Sequence, residues 1–242
     1  MAVTLSTDIA AQLADELRGR PAGARVAGEH ELMARFGVGR AAARAALQEL
    51  ERRLLVRRVR GAGTFVNRRI DYVLSRDRRP SWHETVAAAG ARPRSVVRDV
   101  QVLGLPAEPA DRLGLPVGVP AHRLRRQSYV DDLLASFGTE WVPVAVVADL
   151  GPALHVEESL DAILRQLGRL GGRRIRPVRS WSRVSLDVPP PEVFEALQSE
   201  SSAPAWRVES VSRDEDTRAP VMCSSAWMRA DAVRVVVELG EP

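Results

Sequence analysis

The sequence predicts an α+β protein in two parts. An N-terminal head of three helices closed by a β-hairpin spans residues 1–67. A C-terminal α+β domain with a mainly antiparallel sheet spans residues 81–242, and a linker over 68–80 joins them. Three observations predict this division. Residues 1–70 hold 13 Arg against 7 Asp plus Glu, a net of +6, whereas residues 71–242 hold 22 Arg against 24 Asp plus Glu, a net of −2. "NRRIDYVLSRDRRP" (Asn67–Pro80) is polar, arginine-rich and ends in proline, as linkers do. After Pro93, short strand-like runs alternate with short helical ones, which is the texture of an α+β domain.

In the head, Thr7 or Asp8 is placed to cap a first helix from about Ile9 to Gly19, with Ile9, Leu13 and Leu17 on one face. "GRPAGARV" (Gly19–Val26) breaks it. Glu29 to Phe36 forms a short second helix that Gly37 ends. Arg40 to Arg53 forms a third, its buried stripe made by Ala43, Leu47, Leu50 and Leu54. "LLVRRVRGAGTFVN" (Leu54–Asn67) reads as strand, glycine-containing turn and strand. Helices two and three joined by a short glycine-containing turn, followed by a hairpin, make a winged helix-turn-helix. In the C-terminal part, Ser81 and Glu84 form a capping box for a helix over Ser81–Gly90. "RSVVRDVQVLGL", "AHRLRRQSYVDD", "WVPVAVVADL", "IRPVRSWSRVSL", "APAWRVESVSRDED", "APVMCSSAWMRAD" and "VRVVVEL" read as strands. "EPADRLGL", "EESLDAILRQLG" and "PPEVFEALQSES" read as the helices between them.

Composition narrows the function classes. A hydrophobic content of 45% with 27% charged residues is that of a globular protein with a real core. The single cysteine, Cys223, excludes an internal disulfide and points to a reducing cytoplasm. The N-terminal stretch, with Asp8, Asp15 and Glu16, does not read as a signal peptide, and no apolar run is long enough to span a bilayer. All 35 basic residues are arginine, which GC-rich coding explains, so arginine number alone argues little. Their concentration in the head argues for a nucleic-acid-binding module on a body with another task.

"TDIAAQLADELR", "GEHELMARFGVGRAAARAALQELERRLLVRR" and "GAGTFV" together resemble the winged helix-turn-helix of GntR-type bacterial repressors over residues 4–67. "LGLPVGVP" (Leu113–Pro120), "RLRRQSYVDD" and "AWMRAD" (Ala226–Asp231) are similar to the UTRA effector domain of the HutC-type branch, a chorismate-lyase-like fold that serves as a ligand sensor. The resemblance implies a homodimeric transcription regulator, a repressor, that binds double-stranded DNA at a palindromic operator. A small, anionic effector would modulate it; members of that branch respond to phosphonate-related, histidine-pathway or sugar-phosphate ligands. No cofactor, metal or membrane partner is implied.

Arg40 and Arg44, four residues apart, project from one face near the start of the third helix, where base edges are reached. A bidentate arginine–guanine pair discriminates by about 1–3 kcal/mol. The DNA-facing set is Arg35, Arg40, Ala41, Ala42, Arg44, His30, Arg58, Arg60, Gly61, Gly63 and Thr64. The chain departs from the family at Gly39, Ala41 and Ala42, where hydroxyls are usual, and at His30, where arginine is usual. Those changes remove hydroxyl grips on phosphate and move the expected grip to Arg35, Arg40, Arg44 and the wing; the methyls of Ala41 and Ala42 suit contact with thymine.

In the sensor the family's Arg-x-Arg pair corresponds to Arg126 and Ser128, its first-helix Thr to His83, and a central-strand Glu to Val147. The effector-binding set is His83, Arg126, Ser128 and Ser182, able to hold an anion by charge-assisted hydrogen bonds. The rival reading is an enzyme acting on a small carboxylate through the lyase-like domain. Against it, "HETVA" (His83–Ala87) lacks the second histidine of a zinc-protease helix, no nucleophile elbow or phosphate loop is present, and Cys223 reads as buried filler. A DNA-coating protein would be basic throughout, and this body is not.

Overall fold

The computed structural model describes residues 2–59, 61–75, 81–198 and 203–238. The chain divides into two compact units, Met1–Arg69 and Ile70–Pro242.

The first unit runs α1 (Ala2–Leu17), β1 (Arg25–Val26), α2 (Glu29–Phe36), α3 (Arg40–Arg52), β2 (Val56–Val59) and β3 (Gly63–Val66). Ile9, Leu13 and Leu17 of α1 meet Leu32 of α2 and Ala43, Ala46, Leu47 and Leu50 of α3 in one core. Helix α1 starts earlier than expected, so Thr7 and Asp8 lie inside it and do not cap it. No glycine or proline interrupts residues 2–8, so the helix continues through them. Gly37 takes a left-handed φ of 62° and ends α2, turning the chain into α3. The short strand β1, unforeseen, pairs antiparallel with β3, giving the sheet order β1-β3-β2.

The second unit runs β4 (Ile70–Ser75), α4 (Trp82–Ala88), β5 (Pro93–Gly104), α5 (Ala107–Leu113), β6 (Pro120–Val130), β7 (Leu133–Pro143), α6 (Leu150–Leu154) and α7 (Leu160–Leu167). It continues with β8 (Arg169–Leu170), β9 (Arg173–Arg174), β10 (Pro177–Asp187), α8 (Pro191–Leu197), β11 (Ala205–Asp214), β12 (Pro220–Arg229) and β13 (Val233–Glu238). Six strands form an antiparallel sheet in the order β10-β11-β12-β7-β6-β5.

Two expectations fail here. Residues 70–75, expected within the 68–80 linker, form β4, paired in parallel with β13. Ile70, Tyr72 and Leu74 alternate into the core, and the partner strand lies at the far end of the sequence, where no local signal reveals it. Residues 76–80 lie outside the described residues. The expected strand over 141–150 stops at Pro143. A turn follows, with Val146 N donating to Pro143 O at 2.8 Å, and Val146, Val147 and Leu150 enter the core from a loop and the start of α6.

The register of the sheet sets up the site. Ser182, Ser210, Ser224 and Glu140 lie opposite one another on β10, β11, β12 and β7, one continuous row across four strands. Two residues along, Val184, Val208, Ala226, Gly138 and Arg126 form the next row, and then Met228, Ser136 and Ser128 form another. Residues two apart on a strand share a face, so these rows form one surface with hydroxyls and charges among apolar side chains.

Candidate functional site

Helix α3 buries Ala43, Ala46, Leu47 and Leu50 and turns Arg40, Ala41 and Arg44 to the outside. The side chains of Arg40 and Arg44 are 69% and 59% exposed. Both are held from behind by one carboxylate: Arg40 Nε donates to Glu29 Oε2 and Arg44 Nε to Glu29 Oε1, each at 3.2 Å. Glu29 sits at the first position of α2, and the Arg40 hydrogen bond, joined by that of Arg44, holds its carboxyl below the usual range against the opposing effect of burial. Each Nε is engaged, and no hydrogen bond of the terminal nitrogens of either guanidinium is formed among the described residues. Ala42 is half-buried beside them, and His30 is exposed in the first turn of α2.

Arg35 is placed differently. Its guanidinium grips Glu16 of α1 with both terminal nitrogens, Nη1 at 2.8 Å from Oε2, and lies 4.8 Å from the Phe36 ring centroid. That bidentate pair joins α2 to α1, so Arg35 braces the head as well as standing in the set expected to face DNA. In the hairpin, Ala62 N donates to Val59 O at 3.0 Å, and Gly61 and Gly63 adopt φ of 78° and 120°, the left-handed region that favours glycine. Arg58 on β2 stands 3.4 Å from Glu51. Thr64 corrects another expectation: on the central strand β3, flanked by both neighbours, it is only 7% exposed, and its hydroxyl is withdrawn from the outer surface. Arg60 lies outside the described residues.

In the second unit a cavity of about 180 Å³ opens over the polar sheet face. Its floor includes Ser128, Ser136, Ser210, Ser212 and Ser224, its walls Tyr72 of β4, Trp82 and His83 of α4, and Leu160, Asp161, Leu164 and Arg165 of α7. Ser81 positions α4 as expected: its Oγ accepts from Glu84 N at 3.2 Å while its own N donates to Glu84 Oε2 at 2.7 Å. Ser159 caps α7 through Ala162 N.

The charged groups of the cavity are mostly paired. Arg126 Nε lies 2.9 Å and its Nη2 2.8 Å from Glu140 Oε1, and its Nη1 donates to Glu158 O at 3.3 Å. Both side chains are nearly buried, 12% and 9% exposed. Arg165 pairs with Asp161 at 2.6 Å, one turn away on α7. Arg179 donates to Tyr72 Oη at 2.7 Å, and among the described residues no carboxylate neutralises it. Burial, and then the Arg126 charge, hold His83 below the usual histidine range despite Glu158, whose Oε2 is 3.7 Å from its Nε2 and beyond hydrogen-bond reach. Four buried polar atoms of cavity-lining residues lack partners: Glu140 Oε2, Arg179 Nη1, His83 Nε2 and Trp82 Nε1.

Residues 5–66 match the model of the gntR family of bacterial regulatory proteins, and residues 88–234 match the UTRA domain. The chain belongs to the GntR family. It is a DNA-binding transcriptional regulator with a UTRA domain for a small-molecule effector. Over 212 residues it is 30% identical to the HTH-type transcriptional regulator GgaR of Escherichia coli K12, across 87% of this chain and 80% of that one. Its fold is similar to that of PhnF from Mycobacterium smegmatis (TM-score 0.61, 24% identity, 97% of this chain and 100% of that one). It is also similar to YydK from Bacillus subtilis (TM-score 0.54, 19% identity, 98% and 99%). Family and relatives place the chain among transcriptional regulators. No described helix is long and apolar enough to cross a membrane.

The GntR helix-turn-helix brings Arg40, Ala41, Ala42 and Arg44 to one place. The UTRA cavity brings His83, Arg126 and Ser128 together, while Ser182 stands one strand behind it, its Oγ 3.0 Å from that of Ser210. Val147 is a core residue and does not line the cavity; the acid of β7 that does is Glu140. Sequence reading missed Glu140, Arg179, Tyr72 and most of the serines. Their signal is the period-two spacing Ser136-x-Gly138-x-Glu140 and Ser210-x-Ser212, polar residues where a strand's core face is expected. The remaining nucleophile and histidines are occupied structurally. Burial pushes the Cys223 thiol up to about 12, so it carries no thiolate at neutral pH. His122 Nε2 lies 2.8 Å from Val147 O, and His155 Nδ1 lies 3.0 Å from Gly151 O.

Proposed function

We propose that the chain is a homodimeric cytoplasmic repressor that binds an inverted-repeat operator and whose affinity for it changes when a small anionic metabolite fills the UTRA cavity. The observation that carries this reading is the pair of exposed arginine forks on α3, held side by side by Glu29. Arg40 and Arg44 are the readers of base edges in the major groove. The methyl of Ala41 faces thymine, with Ala42 and His30 at the margin of the contact. Arg58 and the Gly61–Gly63 turn lie along the phosphate backbone, and the sequence adds Arg60 to this contact. Two heads related by a two-fold axis require two half-sites of opposite sense. The metabolite acts through its differential affinity for two arrangements of the heads, and only through that difference. His83, Arg126 and Ser128 shape the cavity, with Ser182 supporting Ser210 from behind.

Two outcomes test the DNA interface. Glu29→Gln keeps the shape of α2 but loosens both arginines. It is expected to lower the preference for operator over unrelated duplex about tenfold, within the discrimination of one bidentate contact, while thermal unfolding of the protein stays unchanged. Fluorescence anisotropy with the two duplexes measures this. An unaltered preference would mean that Glu29 plays no part in reading. Binding is also expected to weaken on the order of a hundredfold between about 50 mM and about 200 mM salt, the loss expected for about four phosphate contacts releasing counterions. A flat response would contradict a wing that grips phosphate.

A further inference from the structure

Charge balance and hydrogen-bond demand within the cavity restrict what it can hold. Arg126 is neutralised by Glu140, and Arg165 by Asp161. Arg179 alone among the lining arginines has no carboxylate among the described residues, and its Nη1 is buried without a hydrogen-bond partner. His83 is held in its neutral form at pH 7 by burial and by Arg126. The lining side chains therefore carry one uncompensated positive charge, that of Arg179, with the Glu158 carboxylate just outside the lining beside His83. A dianion such as a phosphate monoester would leave a second charge buried and unpaired, which is strongly unfavourable. A neutral ligand would leave Arg179 as it is. The floor asks for more than charge. Five serines line it, and Glu140 Oε2, at the end of the Ser182–Ser210–Ser224–Glu140 row, is a buried acceptor with no donor. A buried polar group left without its partner is costly, so a ligand that brings hydroxyls to this row gains what an alkyl chain would lose.

We propose that the effector is a singly charged polyhydroxy acid, its carboxylate against Arg179 and its hydroxyls along the serine floor toward Glu140. This rests on the reading of the cavity as the effector site. It also departs from the expectation that Arg126 receives the anion: Arg126 orients Glu140, and Arg179, which no sequence motif marked, receives the charge.

The test is titration calorimetry on the full chain with a defined panel. Glycerate, threonate and gluconate represent the class. Hexanoate keeps the charge without hydroxyls, sorbitol keeps hydroxyls without charge, and glucose 6-phosphate carries the second charge. At least one hydroxy acid is expected to bind ten times or more tighter than all three controls. Arg179→Gln is expected to erase its advantage over sorbitol, and Arg179→Lys to retain part of it. Thermal melts confirm that each variant is folded. If no hydroxy acid outbinds the controls, or glucose 6-phosphate binds best, the proposed class is overturned while the cavity remains a candidate. Ser224→Trp, which fills the floor, separates the two failures. A hydroxy acid that binds this variant and Arg179→Gln as tightly as the parent protein sits elsewhere, and the reading of the cavity as the effector site is then overturned.

Discussion

Arg44→Ala is expected to abolish the preference for operator over unrelated DNA while leaving the dimer intact. Arg44 occupies the exposed face of α3 one turn after Arg40, and nothing in the core depends on it. Each bidentate contact to guanine contributes about 1–3 kcal/mol of discrimination. In the proposed two-fold dimer two of them are lost, on the order of 2–6 kcal/mol, against the roughly 4–10 kcal/mol that separates specific from non-specific binding. Residual binding is expected to be sequence-independent and steeply salt-dependent, because the proposed phosphate contacts of the wing remain. Arg52→Ala serves as control: Arg52 is also exposed but pairs with Glu49 at the opposite end of α3. Anisotropy titrations with both duplexes, beside light scattering for the dimer, read the result. Retained specificity would remove α3 from its role as reader.

The second large effect is on stability. Arg126→Met removes the cation from a nearly buried pair and leaves Glu140 uncompensated beside the cavity. Removing one partner of such a pair is expected to cost about 3–5 kcal/mol. In a unit of this size that lowers the melting temperature by roughly 6–20 °C, at about 2–4 °C per kcal/mol. Adding Glu140→Leu removes the stranded charge and is expected to recover most of the loss, because a buried ion pair replaced by apolar groups is often neutral or stabilising. Calorimetric melts of the full chain, with the transition of the second unit followed separately, decide it. Wild-type stability in Arg126→Met alone would contradict the pairing. This result bears on function too. An Arg126 variant that no longer responds to effector would have lost the architecture of its cavity, so it is a poor probe of ligand contact, and Arg179 is the better one.

What could be read before the structure follows from how local each signal is. The head is written in short range: a 3.6-residue period in α3, Gly37 between two helices, and two glycines in a hairpin whose strands are adjacent in sequence. Each interaction that defines it lies within a few residues, or within one core that the periodicity outlines. Even there, the pairing of Arg35 with Glu16 was invisible, because it joins residues 19 apart across α2 and α1. Thr64 reads as a wing residue, yet it lies two residues from the core residue Val66 on β3 and so shares its inward face.

The cavity of the second unit is assembled the other way. Tyr72 comes from β4, whose partner strand begins more than 150 residues later, and it ties Arg179 in place across 107 positions. Glu140 meets Ser224 only through the register of β7 on β12. Such contacts are fixed by the pairing of distant strands, and periodicity within one strand cannot supply a pairing. Arg126 and Ser128 were legible because a family motif marks them. Their roles were not, since a motif shows which residues stand at a site and not which charges there are already neutralised.

The measurement that bears most directly on the central claim is selection of duplexes from a randomised library by the full-length protein, followed by sequencing of the bound fraction. Enrichment of an inverted repeat, guanine-containing in each half-site and absent from the pool selected by Arg44→Ala, is the predicted result. Enrichment of the same motif by both proteins, or of no motif by the parent chain, would contradict it.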